Sequence, residues 1–86
     1  MSYRVQLSLP AKKQLDRLDQ VIAKRLLDRL KELAFDPYST RISKAVKIEP
    51  GLRTSRVGDW RIIYRVNVLN QEIMIIAFRP RGKAYR

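Results

Sequence analysis

Two residues, Gly58-Asp59, separate two runs in which apolar and polar side chains alternate, and that short turn constrains the architecture more than any other feature of the chain. A two-residue loop of this kind joins antiparallel strands. Leu52–Val57 is therefore expected to pair with Trp60–Val68, setting Val57 opposite Trp60 and Arg56 opposite Arg61. Leu69-Asn70-Gln71 reads as a three-residue turn with Asn70 in the left-handed region, followed by a strand over Glu72–Arg79. That turn sets Val68 opposite Glu72, Ile62 opposite Phe78, Tyr64 opposite Ile76 and Arg61 opposite Arg79. Strand residues alternate between faces, so the register sorts them. Trp60, Ile62, Tyr64, Val66, Met74, Ile76 and Phe78 are expected to lie under helices. Arg56, Arg61, Ile63, Arg65, Ile75, Ala77, Arg79 and, by extension, Arg81 form the other face.

The N-terminal half supplies the helices. Tyr3 to Leu9 alternates as a half-buried strand does, with Val5, Leu7 and Leu9 on one side. Pro10 ends that strand and suits a first helical turn, where a missing N–H is no loss. Ala11, Leu15 and Leu18, then Ile22, Ala23, Leu26, Leu27, Leu30, Leu33 and Ala34, recur at helical spacing. The pattern predicts a helical hairpin over 11–18 and 20–34, broken at Asp19-Gln20 and stopped by Asp36-Pro37. Lys12, Lys13, Arg17, Lys24, Arg25 and Lys31 fall on its solvated outer face. Residues 38–50 read as a loop with a short extended piece at Ala45–Ile48. The expected fold is α+β: an N-terminal strand, a helical hairpin, then an antiparallel β-meander with the helices packed on one face. Eighty-six residues are expected to form a single domain, 1–86, with a thin margin of stability at this size.

Charge narrows the function. The formal net charge is +11 and the pI about 10.8, a balance that attracts polyanions, RNA or DNA foremost. Of 19 Lys/Arg and 8 Asp/Glu, residues 1–36 hold eight and five, and residues 37–86 hold eleven and three. The polyanion is therefore expected on the second segment. There is no cysteine and no histidine. That excludes disulfides, thiolate nucleophiles, imidazole acid–base chemistry and most transition-metal sites. The acids are too scattered to chelate a metal pair, so no metal or cofactor is expected. The longest apolar run, Ile73 to Phe78, falls far short of the roughly 20 residues that span a bilayer. No signal-peptide stretch opens the chain, and a soluble, cytoplasmic protein without membrane partners is expected.

Arginine dominates the polar sheet face. Its planar fork grips phosphate bidentately, which fits phosphodiester recognition better than diffuse attraction does. Crowded like charges are unfavourable unless an anion sits among them. Arg61 and Arg81 are the candidate phosphate ligands, with Arg79 and Lys83 beside them, whereas Arg65 reads as a solvated edge residue. The terminal eight residues carry Arg79, Arg81, Lys83, Arg86 and one phenol, Tyr85, without an acid. A phenol of ordinary pKa, about 10, is a poor base at neutral pH, and neighbouring cations lower that value. Tyr85 is thus a candidate general base, with a packing plug near the C-terminus as the alternative. Trp60 and Tyr64 belong to the core, and Tyr3 and Tyr38 carry no signal of their own.

These residues also form a recognisable pattern. Arg56-Val57-Gly58-Asp59-Trp60-Arg61-Ile62-Ile63-Tyr64 resembles the R-V-G-D-Y-R-I-I-Y signature of the RelE/ParE toxin superfamily. The helical A-K-K-Q-L-D-R-L at 11–18, L-A-F-D-P at 33–37 and the ending Arg81 to Arg86 are similar to the same family, in order. The resemblance implies a toxin of a type II toxin–antitoxin system with a RelE-like fold. Its RelE branch cleaves mRNA in the ribosomal A site, and its ParE branch poisons DNA gyrase; the alternatives to the nuclease are thus a gyrase inhibitor or a non-catalytic RNA-binding module. The resemblance places Arg61, Arg81 and Tyr85 at the catalytic positions of the RelE branch. Family members often carry lysine or arginine on the preceding strand, where this chain has Leu52 and Thr54, and Arg53, Arg56 and Lys47 are the nearby cations expected to bind the RNA in their place. A histidine common in relatives is Pro80 here. The implied partners are a RelB-like antitoxin, the ribosome and mRNA. The basic face, with Ile63 and Ile75 expected exposed on it, together with the helical hairpin, suits an acidic amphipathic antitoxin segment.

Overall fold

The computed structural model describes residues 2–80. In chain order the elements are β1 (Arg4–Leu7), α1 (Leu9–Arg17), α2 (Gln20–Phe35), β2 (Lys44–Ala45), β3 (Leu52–Val57), β4 (Trp60–Asn67) and β5 (Glu72–Pro80). The strands form one sheet in the order β1-β5-β4-β3-β2. β1 runs parallel to β5 and every other pair is antiparallel. This is the α+β arrangement that the alternation and the helical stripe predict.

The handover from β1 to α1 rests on Ser8. Its hydroxyl accepts from the Ala11 N–H at 3.2 Å, capping the helix. The same hydroxyl donates to the Ile76 carbonyl at 2.8 Å. The helix thus starts at Leu9, with Pro10 inside its first turn, and Leu9 points to solvent at 65% exposure, not into the strand's apolar side as expected. Further along, β1 no longer covers the edge of β5. There the Gln14 amide takes the place of a strand, donating to the Phe78 carbonyl and accepting from the Phe78 N–H, both at 2.9 Å.

The core lies between α2 and the sheet. Leu26, Leu30 and Leu33 of α2 pack with Ile62, Tyr64, Ile73, Ile75 and Phe78. The lysines and arginines of the two helices expected on the outer face are exposed. Gly58 takes φ +58°, in the left-handed region, and a Cβ there would come within 2.9 Å of the Arg25 guanidinium. Among the described residues no helix is long and apolar enough to cross a membrane.

The β3–β4 register is the expected one, including Arg56 opposite Arg61 and Val57 opposite Trp60. The β4–β5 register differs in two places that cancel. The turn holds four residues, so Asn67 and not Val68 faces Glu72, and Gln71 and not Asn70 takes positive φ. A bulge then shifts the pairing between Ile63 and Tyr64: Tyr64 faces Ile75, while Ile63 faces Ala77. Beyond it, Ile62 opposite Phe78 and Arg61 opposite Arg79 stand as expected.

Between turn and bulge the faces of β5 are inverted. Ile73 and Ile75 are fully buried, and Met74, expected in the core, is 39% exposed. Ile75 is therefore no exposed apolar contact. Ile63 is also buried, although it lies on the arginine face. It sits on a central strand between Thr54 and Ala77, flanked two residues along by Arg61 and Arg65.

Candidate functional site

Arg56, Arg61 and Arg79 stand directly opposite one another on β3, β4 and β5, three arginines in one row across the sheet. They lie on the face away from the helices, since Ile62 and Phe78, one step along, are fully buried under them. Arg56 and Arg79 are exposed and Arg61 is half-buried. Of the residues expected to carry chemistry, the structure brings these three together. Arg81, Lys83 and Tyr85 lie outside the described residues.

Beside this row the loop after α2 folds against the sheet and walls off two hollows. One, of about 290 Å³, is lined by Arg29, Arg41, Lys44, Thr54, Arg56 and Arg61 among others. The other, of about 280 Å³, has Ala45, Val46, Lys47 and Ile48 on one side and Lys44, Thr54 and Arg61 on the other. Lys47 therefore joins the site from the second hollow. A larger hollow of about 530 Å³ lies at the far end of the sheet, and its one arginine, Arg65, is engaged by Glu49. Concentration of cations, not size, picks out the first pair.

The loop is held by a one-way chain of hydrogen bonds. Tyr64 has a single O–H, and it donates to the Pro37 carbonyl at 2.8 Å. Ser43 must then donate to the Tyr64 oxygen, which it contacts closely. Its own oxygen accepts from Arg53 Nε at 2.8 Å. Arg53 also stacks over the Tyr38 ring, 4.9 Å from its centroid. So Arg53, expected to bind RNA, faces the other side of the sheet, opposite Tyr64, and lines neither hollow. Burial pushes the Tyr64 phenol above its ordinary value, against the pull of Ser43 and Arg53. With both sides of its oxygen occupied, Tyr64 is structural.

Arg29 reaches from α2 to the sheet and ties the wall down. It donates to Ser55 Oγ at 2.9 Å and to the Arg56 carbonyl at 2.7 Å. Glu32 accepts from Arg29 and from Arg41, each at 3.2 Å, and these bonds, Arg41's first, hold its carboxyl below the usual range. Lys44, Arg29 and Arg41 were not among the residues singled out from sequence. Their signal is spatial: they come from a helix, a loop and the two-residue strand β2, none with a period that points at the site.

The ParE toxin family of type II toxin–antitoxin systems matches residues 5–85 of this chain. The chain belongs to the RelE/ParE toxin superfamily. RelE from Pyrococcus horikoshii, solved in complex with RelB, is 30% identical, with a TM-score of 0.82 over 98% of this chain and 100% of that one. The RelBE2 toxin–antitoxin complex of Mycobacterium tuberculosis gives 21% identity and 0.81 over 94% and 100%. Isolated Escherichia coli RelE gives 15% and 0.82 over 98% and 89%, which supports the fold. No curated protein matches the sequence.

Proposed function

We propose that this superfamily member is a RelE-type toxin, an endoribonuclease that cuts mRNA in the ribosomal A site without a metal ion. The observation that carries the reading is the Arg56–Arg61–Arg79 row. Three guanidinium groups at adjacent strand spacing repel one another in the absence of an anion, and a phosphodiester backbone relieves them. The chemistry is attack by the ribose 2′ oxygen on the adjacent phosphorus. Tyr85, as phenolate, takes the 2′ proton, the P–O5′ bond breaks, and the 5′ oxygen leaves with a proton from solvent or the ribosome. A 2′,3′-cyclic phosphate and a 5′-hydroxyl result. Arg61 holds the phosphate as charge develops, and Arg81 stabilises the leaving oxygen.

The test is primer extension on mRNA in purified translating ribosomes. Cuts are expected with chelator present and not in naked RNA, and Arg61→Ala is expected to slow them about 10²–10³-fold. Chelator-sensitive cuts, or equal cutting of naked RNA, contradict the reading. If Tyr85 is the base, the single-turnover rate rises with pH until the phenol ionises. Arg81→Ala, removing a cation that favours phenolate, moves that rise to higher pH. An unmoved profile would leave Arg81 as a phosphate contact alone.

The family model favours a second reading, a ParE-like poison of DNA gyrase. Cleaved DNA accumulating with mRNA intact would decide for it. Under either reading the cell needs an antitoxin, as the RelB-bound relatives indicate. Ile63 and Ile75, expected exposed as its apolar contacts, are buried and do not serve as such.

A further inference from the structure

Three residues, Lys44, Thr54 and Arg61, line both hollows, so they form the ridge between them. The sheet explains why. Lys44 stands opposite Thr54, which stands opposite Ile63, one pleat step along from the arginine row and on the same face. Thr54 is short, leaving space between the longer side chains of Lys44 and Arg61. Four nearby cations are engaged: Arg29 and Arg41 by Glu32, Arg65 by Glu49, Arg53 by Ser43. Among the described residues no carboxylate lies within ion-pair distance of Lys44.

Its backbone, in contrast, is fixed. Ser43, the preceding residue, is locked by Arg53 and Tyr64, and Val46 N–H donates to the Leu52 carbonyl at 2.9 Å. Lys44 on β2 therefore presents an ammonium from a fixed backbone beside Arg61, while Lys47, also without a carboxylate in ion-pair distance among the described residues, lies three residues along in the second hollow. The hollows on either side differ in character, one rich in arginine, the other floored by Ala45, Val46 and an Ile48 that is 85% exposed.

We propose that Lys44 binds the same RNA phosphate as Arg61, with the nucleotides on either side of that phosphate seated in the two hollows. This rests on the nuclease reading and assigns the site a cation that no strand periodicity indicated. An ammonium is a point donor, so it complements the forked guanidinium without competing for its geometry. Arg53 and Tyr64 become positioning residues, acting on the phosphate only through Ser43 and the backbone of Lys44.

Two measurements test this. In single-turnover cleavage on translating ribosomes, Lys44→Gln is expected to slow the cut about 10–100-fold, the usual worth of a charge-assisted hydrogen bond. Lys44→Arg is expected to stay within a few-fold of wild type. Lys31→Gln, an equal charge loss on the helical face, is expected to leave the rate unchanged. In a titration of free protein with a non-cleavable 2′-O-methyl trinucleotide, Lys44→Gln should reduce the slope of log affinity against log salt by about 0.7, one phosphate contact. Wild-type affinity and slope in Lys44→Gln overturn the proposal, as does a cleavage loss no greater than that of Lys31→Gln. A wild-type protein that cuts no mRNA fails the nuclease reading instead, and the trinucleotide titration still decides Lys44.

Discussion

At the scale of single residues, two hydroxyls hold the molecule's least regular parts. Tyr64 ties the loop at Pro37 and Ser43 to the sheet. Tyr64→Phe leaves a buried Pro37 carbonyl without its donor, and about 1–3 kcal/mol of stability is expected to be lost in urea denaturation at pH 7. The sign of the pH effect follows from the raised phenol pKa. Stability is intact below the unfolded value of about 10, and is lost as pH rises toward the higher folded value, because the unfolded chain ionises first. Tyr64→Phe is expected to flatten that alkaline loss. Ser8 both caps α1 and serves the Ile76 carbonyl. Ser8→Ala is expected to cost about 1–2 kcal/mol, read by the same denaturation. Tyr64 was legible as core from its place in an alternating strand. Its partners were not, since they come from a loop with no period.

At the scale of elements, the first hairpin was readable because a two-residue turn leaves one register. The second was readable only at its far end. One extra turn residue and one bulged residue offset each other, so the arginine row survived while Met74 and Ile75 exchanged faces. Both departures belong to backbone conformation, where Gln71 took a positive φ that its residue type does not advertise. Gln14 shows the same limit, its amide completing the edge of β5 where β1 stops. Gln14→Ala removes both bonds. Hydrogen exchange at the Phe78 amide is expected to speed up sharply, with the amide of Ile62, deep in β4, changing far less. Equal acceleration at both would mean that Gln14 supports the whole fold and not the edge of β5.

At the scale of the whole molecule, the excess positive charge has an address. The first segment spreads most of its cations over exposed helical faces, Arg4 on β1 and Arg29 at the sheet apart, while the second lines Arg56, Arg61 and Arg79 across one sheet face with Lys44 and Lys47 beside them. The helix–sheet architecture and the arginine row could be read from periodicity and turn length. The wall built by Arg29, Arg41 and Lys44 could not, because it depends on how the loop after α2 folds back. RNA affinity is expected to fall with salt with a log–log slope of about −3 for contact with roughly four phosphates. The most direct test of the central claim is the chemistry of the cut ends, read by mass spectrometry on mRNA fragments from translating ribosomes treated with the protein and chelator. Attack by the 2′ oxygen predicts a 2′,3′-cyclic phosphate on the upstream fragment and a 5′-hydroxyl on the downstream one. A 3′-hydroxyl with a 5′-phosphate, or intact mRNA beside cleaved DNA, would contradict it.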